Sequence, residues 1–535
     1  MGQKEFLSRL GFHDNPFQFT NADDEEHLQS YFVPPPFFDS VWGNPDVPQS
    51  HVIFAPRGVG KSAQRRMIEY QALENDVFTI TYDRFEGLAG VDLANLGTDY
   101  HLRNIMRIGL LGFLLEYWTR GMQAPSFSRA EREQIEALCR HYVGKITRLE
   151  ALSALKSLRT LSSKAKDLLR DWSGPLTALI STALATQGVR YGKFDLGSPQ
   201  RDESLDAPTK GHIEILRDLI KSIGFRSMYV LIDKVDETPE TGNSDEASFL
   251  LVKPLLRDLE LLQLKGVAFK FFLWGNLEPY HRKYARPDRL QQFELSWNQS
   301  DINKMLSRRL AAFSNDRVTN LGQLTEADLA AALQFTVVAF ASGSPRDMIR
   351  ACQEILSEQL QLNPDSEMIG ARAILGGISK FSTHRAKELI PPDIFMELLK
   401  VGRLDFTTNY IANDVFKIAV NSARNKIRQW MQAGAVNKVG ELYLGGRPIY
   451  QYAVSDIRIA QAMHPNLNLV EFVNKKVKYC DKCGAMLIRD WDLQHTQSCH
   501  LCGAQNTSIR NQGGERRVCV FQTLRLLSLR MVICF

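Results

Sequence analysis

The 535-residue sequence contains no run of 18 or more apolar residues free of charges, so no transmembrane helix is expected. The opening residues, MGQKEFLSRL, are too polar for a secretory signal. Gly2 follows the first methionine, but Phe6 stands where N-myristoylation requires serine or threonine. Internal repeats and low-complexity segments are also missing. We therefore expect a cytoplasmic protein that does not engage a membrane.

Cysteine is scarce over most of the chain, since four of the eight cysteines cluster near its end. This usage favours a metal site in a reducing compartment over a disulfide framework. The cluster has the spacing C-x2-C-x15-C-x2-C, formed by Cys480, Cys483, Cys499 and Cys502. Two thiolate pairs on tight turns supply four soft ligands for tetrahedral Zn2+. We predict a structural zinc ribbon without zinc catalysis, and the spacing leaves open whether it binds nucleic acid or protein.

Positive charge is concentrated in the last third of the chain. Residues 380–478 contain 15 Lys and Arg against 8 Asp and Glu, a surplus of 15 − 8 = +7, whereas the whole chain carries +5. This distribution indicates an anionic partner for that region. A solvated basic face is the alternative interpretation.

Residues 55–62, APRGVGKS, are one residue short of the phosphate-binding pattern G-x-x-x-x-G-K-[ST], because Ala55 occupies the first glycine position. A phosphate-binding loop needs converging backbone N–H groups, a lysine that reaches the phosphates and a hydroxyl that ligates Mg2+. A predicted strand before the stretch and a predicted helix after it provide the right context; a lysine-bearing turn is the alternative. We predict that ATP and Mg2+ bind at Arg57, Gly58, Val59, Gly60, Lys61, Ser62 and Ala63.

A second motif, MYVLIDKVDE (228–237), carries acids beyond an apolar strand. In a parallel sheet this edge is where the magnesium of a nucleotide site lies. Asp233 is predicted to hold the metal, while Asp236 and Glu237 are predicted to polarise the attacking water. An apolar strand followed by an acidic loop is common, so the prediction depends on both motifs occurring in order.

Two further residues fit the same site. The strand ending FFLWGN brings Asn276 to a strand tip, where an amide can position the attacking water. The stretch SGSPRDMIRAC places Arg346 just inside a helix start, from which it can reach the γ-phosphate. A strand-end turn and a proline-led helix start are the alternative interpretations.

The fold class follows from the alternation of strands and helices. Apolar or β-branched strands are predicted at 51–55, 77–85, 228–233 and 267–276, with helical periodicity over 86–225 and 300–380. We predict an α/β fold whose parallel sheet forms a P-loop NTPase core, with a large helical insertion at 86–225.

A winged helix is predicted over 392–455, where three helices precede a hairpin with a Gly-Gly turn. On the third helix, Ala423, Ile427 and Trp430 fall on the core-facing side. The opposite side carries a polar and basic stripe that is predicted to contact nucleic acid, together with a residue beside the wing tip: Asn421, Arg424, Asn425, Arg428 and Arg447. A protein-binding winged helix or a lid is the alternative.

The motifs APRGVGKS, LIDKVDE, WGN and GSPRDMIRAC, in this order, resemble those of an AAA+ or STAND-type ATPase. The plan is similar to the origin-recognition type, in which a winged helix follows the ATPase. The spacing of the acids after Asp233 is more STAND-like. The resemblance implies that Asn276 is sensor 1, that Arg346 is sensor 2, and that YFVPPPFFDSVWG closes over the adenine.

The segment YARPDRLQQFEL resembles the place of an arginine finger that acts on the neighbouring subunit of a homo-oligomer. Arg289, or else Arg286, is the implied finger, and a surface ion pair is the alternative. Prokaryotic proteins of this build recur in antiviral defence beside a partner effector, so the resemblance also implies such a partner.

The domain boundaries follow from these features. They are an adenine-side segment at 1–50, the ATPase core at 51–300, a helical lid at 301–385, the winged helix at 386–460, the zinc ribbon at 475–510 and a tail at 511–535. We expect an oligomeric regulatory ATPase that couples its nucleotide state to DNA, another nucleic acid or a partner protein. A nucleotide-gated scaffold without DNA binding, or a DNA loader of the replication or transposition type, are the alternatives.

Overall fold

The structure is a computed structural model. It describes residues 2–120, 127–143, 153–154, 156–165, 167, 209–444, 447–465, 468–480, 482–488, 499–504 and 509–510. The predicted tail at 511–535 and the Gly-Gly turn of the wing lie outside the described residues. Within the described part of the chain, no helix is both long and apolar enough to cross a membrane.

The described helices are numbered in chain order. They are α1 Gln3–Arg9, α2 Leu28–Tyr31, α3 Phe38–Trp42, α4 Lys61–Glu74, α5 Thr98–Arg120, α6 Arg129–Tyr142, α7 Thr209–Ser222, α8 Asp245–Arg257, α9 Leu259–Leu262, α10 Glu278–Tyr284, α11 Gln299–Ser314, α12 Ala327–Ala341, α13 Pro345–Leu362, α14 Ala371–Leu389, α15 Pro392–Val401, α16 Thr408–Tyr410, α17 Val420–Gln432, α18 Ile457–Met463 and α19 Leu469–Lys476. Short 3-10 turns occur at Ala22–Asp24, Leu93–Asn95, Gly275–Leu277 and Leu321–Leu324, and a π-helical turn at Ile411–Val415.

The described strands form three sheets. They are β1 His51–Ala55, β2 Val77–Tyr82, β3 Ser227–Ile232, β4 Val267–Trp274, β5 Gln291–Glu294, β6 Asp405–Thr407, β7 Val436–Leu444, β8 Arg447–Val454, β9 Val477–Cys480, β10 Met486–Ile488 and β11 Ile509–Arg510.

The chain divides into two compact units, one of residues 21–29 and 33–296, the other of residues 1–20, 30–32 and 297–535. The first contains a five-stranded sheet in the order β2-β3-β4-β1-β5, and every neighbouring pair is parallel. The predicted α/β fold with a parallel-sheet P-loop core is therefore confirmed. Because β4 separates β1 from β3, the residues after β4 lie between the loops that follow the other two strands.

Burial explains why these strands form. Every residue of β1, β2 and β3 is buried, as expected for parallel strands covered on both faces. Helix α5 lies close to the sheet because of two glycines. A Cβ at Gly109 would lie 2.9 Å from Ile80 Cδ1 and 2.5 Å from Leu216 Cδ2 of α7, and one at Gly112 would lie 2.7 Å from Phe78 Cζ. The first and last helices of the predicted 86–225 insertion thus belong to the sheet's own core.

The second unit contains helices α11 to α14, the winged helix and the ribbon. In the winged helix, β6-β8-β7 form an antiparallel sheet beside α15 and α17. The predicted hairpin is present, and β6 adds a third strand to it. Ala423, Ile427 and Trp430 are buried, as their spacing on α17 predicts.

Candidate nucleotide-binding site

The turn between β1 and α4 has the backbone of a tight loop. Gly58 and Gly60 have φ values of +79° and +100°, a region that favours glycine, and Gly60 caps the start of α4. Ala55 instead ends β1 and pairs in register with Trp274 of β4. Because position 55 is extended strand, it requires no glycine, and alanine fits there. The loop therefore keeps glycine only where the backbone demands it.

Lys61 is the first residue of α4, and its side chain extends back over the loop. Its Nζ donates hydrogen bonds to the carbonyl oxygens of Ala55 at 3.3 Å and Pro56 at 3.4 Å. Burial lowers the pKa of Lys61, an effect that Asp236 and Asp233 oppose. Among the described residues, the hydrogen-bond partners of this ammonium are thus two long carbonyl contacts, which a phosphate can replace.

The hydroxyl of Ser62 meets the acid at the end of β3. Ser62 Oγ donates a 2.8 Å hydrogen bond to Asp233 Oδ2. The other oxygen, Oδ1, accepts from the N–H of Lys234 at 2.9 Å. A hydroxyl and a carboxylate are oxygen ligands of the kind that Mg2+ prefers, so the donor set fits this ion. The two residues predicted for magnesium are therefore brought together.

The two acids that follow are placed differently. Asp236 is buried, and its carboxylate accepts from Arg57 Nε at 2.8 Å. The Arg57 guanidinium also lies 4.4 Å from the ring centroid of Trp274. Glu237 is exposed on the same loop. Of the pair predicted to polarise water, only Glu237 thus faces solvent, while Asp236 ties the phosphate loop to the acidic loop.

The remaining predicted residues of this unit lie at the surface. Asn276 is exposed in the turn directly after β4, between the loops of β1 and β3. Arg286 forms a two-pronged pair with Asp288 at 3.0 Å for both bonds, and Arg289 Nε lies 3.6 Å from the same carboxylate. Both arginine side chains are more than half exposed.

Arg346 lies in the other unit, exposed in the first turn of α13. Its neighbour Asp347 is buried and accepts from Arg385 Nε at 3.0 Å and from Arg458. These pairs join the start of α13 to α14 and to α18, directly after the winged helix. They fix the helix turn that carries Arg346.

A cluster of buried charges beside Asp233 was missed by the sequence analysis. Arg65, on α4, is fully buried and donates from Nε to Asp233 at 3.0 Å, and it also pairs with Asp23 and Glu69. Asp23 lies more than 40 residues away in sequence, in a polar stretch that resembles a surface loop. An arginine on the inner face of the helix after a phosphate loop is the one signal that could have indicated the cluster.

The four predicted zinc ligands converge in the second unit. Their ligand atoms all lie within 4.8 Å of one another, with Sγ separations of 3.5 Å for Cys480–Cys502 and for Cys483–Cys499. Tetrahedral Zn–S bonds of about 2.3 Å require sulfurs about 3.8 Å apart, so the cluster fits zinc.

The two halves of the cysteine cluster are built alike. Gly484 N–H donates to Cys480 O, and Cys480 N–H donates to Ala485 O. The second half repeats both bonds between equivalent residues, at Cys499, Gly503 and Ala504. Gly484 and Gly503 have φ values of +72° and +70°. The backbone therefore positions each thiol pair independently.

The predicted recognition stripe of α17 is exposed, and within the described part of the chain its two arginines bond to asparagines of the same helix. Arg424 donates to Asn421 at 3.1 Å, and Arg428 to Asn425 at 3.4 Å. Arg447 begins β8, and its side chain is outside what the structure describes.

No family model and no curated protein matches the sequence. Among solved structures, the chain is similar to the ORC1 protein of Aeropyrum pernix in complex with DNA, with 10% identity, a TM-score of 0.33, and coverage of 84% of this chain and 97% of that one. It is also similar to the ORC2 protein of Aeropyrum pernix in ADPNP and ADP complexes, with 8% identity, a TM-score of 0.35, and 84% and 98% coverage. Values this low carry no argument about activity.

Proposed function

We propose that the protein is an ATP-binding and ATP-hydrolysing regulatory ATPase that couples its nucleotide state to nucleic acid or to a partner protein. The observation that carries this proposal is the 2.8 Å hydrogen bond between Ser62 and Asp233. It joins the hydroxyl of the glycine-turned loop after β1 to the acid at the end of β3, two strands away in the sheet, and this is the pair that a phosphate-bound Mg2+ requires.

Each residue then has a defined task. The N–H groups from Gly58 to Ala63 and the ammonium of Lys61 bind the phosphates, and Ser62 and Asp233 would hold Mg2+. When bound, Mg2+ neutralises charge on the phosphates. Glu237 accepts the proton of the attacking water, and Asn276 orients that water from the neighbouring strand tip. Arg57, paired with Asp236, sets the position of the loop.

The direct test is ATP affinity in a Lys61→Ala variant, measured by calorimetry with Mg2+ present. Removing the ammonium leaves the phosphates without their cation, so we expect affinity to fall by at least about tenfold. Lys265→Ala, which removes an exposed lysine of the same unit, serves as the matched control. Unchanged affinity in Lys61→Ala would refute the assigned phosphate site.

Nucleic-acid binding through the winged helix is supported by the exposed Arg424 and Arg428 on α17. ATPase activity stimulated by DNA would favour this function, or the related DNA loader. Turnover that is indifferent to DNA, together with a co-purifying protein, would favour the nucleotide-gated scaffold.

An oligomer is proposed from the exposed Arg286 and Arg289, one of which would act on a neighbouring subunit. Native mass measurements with and without ATP test this assembly, and a monomer under both conditions would contradict it. The antiviral role with a partner effector rests on the family resemblance alone and stays a prediction.

A further inference from the structure

Asp233 does not stand alone beside Ser62, because Arg65 holds the same carboxylate oxygen. Asp233 Oδ2 accepts from Ser62 Oγ and from Arg65 Nε. Arg65 has no exposed surface, and Asp233 is 1% exposed. A charge-assisted bond in such a dry setting is strong and directional. Arg65 therefore fixes which oxygen of Asp233 faces the hydroxyl.

Arg65 is fixed in turn by Asp23, which lies in the 3-10 turn Ala22–Asp24 of the N-terminal segment. Asp23 also accepts from Lys234 Nζ at 2.8 Å. Burial alone would raise the pKa of Asp23, but Arg65 and Arg159 hold it well below its usual value. Asp23 is thus a carboxylate that pairs with three cations.

The bond between Lys234 and Asp23 also constrains the backbone at Lys234. This residue directly follows Asp233 and has a φ of +59°, a left-handed conformation that is unfavourable for lysine. Such a conformation persists only where the surroundings enforce it, and the bond from Lys234 to Asp23 is one such constraint. The peptide after Asp233 is therefore held by the same carboxylate that holds Arg65.

The third cation, Arg159, comes from the 86–225 insertion. It pairs with Asp23 through one nitrogen, and another nitrogen donates to Asp83 at 2.7 Å. Asp83 directly follows β2 and is buried, and the side chain of Arg159 is 15% exposed. Three ion pairs thus connect Arg159 to Asp233 through Asp23 and Arg65. Asp233 in turn accepts a hydrogen bond from Ser62, the other residue of the magnesium pair.

We propose that Arg159 and Asp23 are positioning residues for the magnesium acid, so that the insertion controls how well the nucleotide site holds its divalent cation. This inference rests on the proposed function. Without Arg159, or with an uncharged residue at position 23, Arg65 loses part of the ion-pair network that holds it in place, so we expect it to orient the carboxylate of Asp233 less well. A macromolecule that displaced the segment around Arg159 would act in the same way.

The test measures cation binding rather than turnover. Mn2+ is titrated by electron paramagnetic resonance into the full chain with a non-hydrolysable ATP analogue, for the wild type, Arg159→Ala, Arg159→Lys and Asp23→Asn. Affinity for a fluorescent ATP analogue in EDTA is measured alongside, because phosphate binding by the loop does not depend on Asp233. Arg129→Ala is the matched control, since Arg129 belongs to the same insertion but its side chain is 90% exposed.

We expect Mn2+ to bind about tenfold more weakly to Arg159→Ala and Asp23→Asn, and nearly normally to Arg159→Lys and Arg129→Ala. Nucleotide affinity in EDTA should stay within about twofold of the wild type in all of them. Unchanged Mn2+ affinity in Arg159→Ala, or a parallel loss of nucleotide affinity in EDTA, would overturn the proposal.

Two controls keep the outcomes distinct. If Arg159→Ala does not fold, Arg159→Gln takes its place, because its amide retains a donor toward Asp23 but no charge, and normal Mn2+ affinity there would also overturn the proposal. A wild-type chain that binds no ATP analogue would refute the proposed function itself. A wild-type chain that binds analogue and Mn2+ while every variant matches it would refute only the role of Arg159 and Asp23.

Discussion

The guanidinium of Arg57 donates to the buried carboxylate of Asp236 at 2.8 Å. This pair separates the roles of two adjacent acids, because Asp236 is occupied by the phosphate loop while Glu237 is exposed beside it. In the proposed mechanism, the general base and the structural anchor of the site are therefore different residues.

Glu237→Gln is expected to abolish most turnover and to leave ATP binding intact. The amide cannot accept the proton of the attacking water, so kcat should fall by about 10²- to 10⁴-fold. Steady-state phosphate release and ATP calorimetry measure the two quantities. Glu240→Gln, an exposed acid of the same loop, should behave as wild type. Normal turnover in Glu237→Gln would remove it from the mechanism.

Asp236→Asn should act on the loop instead. Replacing the carboxylate leaves Arg57 without its charged partner, so we expect a lower melting temperature and weaker ATP binding together. A variant that loses kcat alone, with normal stability and affinity, would show that Asp236 acts chemically.

Lys270 makes the stability of the sheet depend on pH. It is fully buried on β4, donates to the carbonyl oxygens of Val41 and Gln49, and burial lowers its pKa to about 7. An unfolded chain keeps the ordinary value of 10.5, so between pH 7 and 10.5 the unfolded state binds more protons than the folded state. The free energy of unfolding should therefore rise with pH across this window, by up to about 1.4 kcal/mol per pH unit from this group.

Lys270→Met isolates that contribution. The difference in unfolding free energy between wild type and variant, from denaturant titrations at pH 7 to 10, should change steadily in favour of the wild type. At any single pH, the difference in unfolding free energy also contains the cost of two carbonyl groups that lose their donor. The slope of this difference with pH is therefore the informative quantity. A pH-independent difference would mean that Lys270 stays charged when folded.

Arg424→Ala/Arg428→Ala should weaken DNA binding and flatten its dependence on salt. If both side chains contact phosphates, the slope of log K against log salt should become less negative by about 1.8. Fluorescence anisotropy at several salt concentrations measures it, with Arg372→Ala/Lys400→Ala as a charge-matched control on other exposed positions of the same unit. An unchanged slope would move the nucleic-acid contact away from α17.

Cys483→Ser should lower the zinc content of the purified chain by more than about half, because a structural site needs all four thiolates. Zinc per chain is measured by elemental analysis. Hydrogen exchange should show faster exchange in β9 and β10, with β1 to β4 unchanged. Lys482→Ala, one position earlier on the same turn, should retain full zinc. Full zinc in Cys483→Ser would exclude this cysteine as a ligand.

The sheet was predictable from sequence wherever strands are wholly buried. The segment at 51–55 is β1 with the predicted bounds, and the other three predicted strands end within three residues of the predicted limits. Strand β5 was missed because Gln291, Gln292 and Glu294 are exposed and give no apolar pattern. β6 is three residues long and too short for any periodicity.

The site was predictable as far as local motifs extend. The glycine-turned loop and Asp233 follow known spacing, so their meeting could be expected from strand order alone. Asp23, Arg65 and Arg159 could not, because buried ion pairs between distant segments leave no periodic signal in a sequence. The difference in environment between Asp236 and Glu237 also depends on Arg57, because the fold and not a sequence motif determines where its side chain points.

Gly109 and Gly112 hold α5 against the sheet, and Gly109 also admits Leu216 of α7. Described residues between these two helices reach the same core, since Phe127, Leu138 and Leu158 are buried in it. The entropic cost of closing a connection between fixed ends grows only slowly with its length. A connection between two packed segments can thus change in length without re-registering a strand, whereas the packed segments themselves and Arg159 are constrained by the core and by the buried ion pairs.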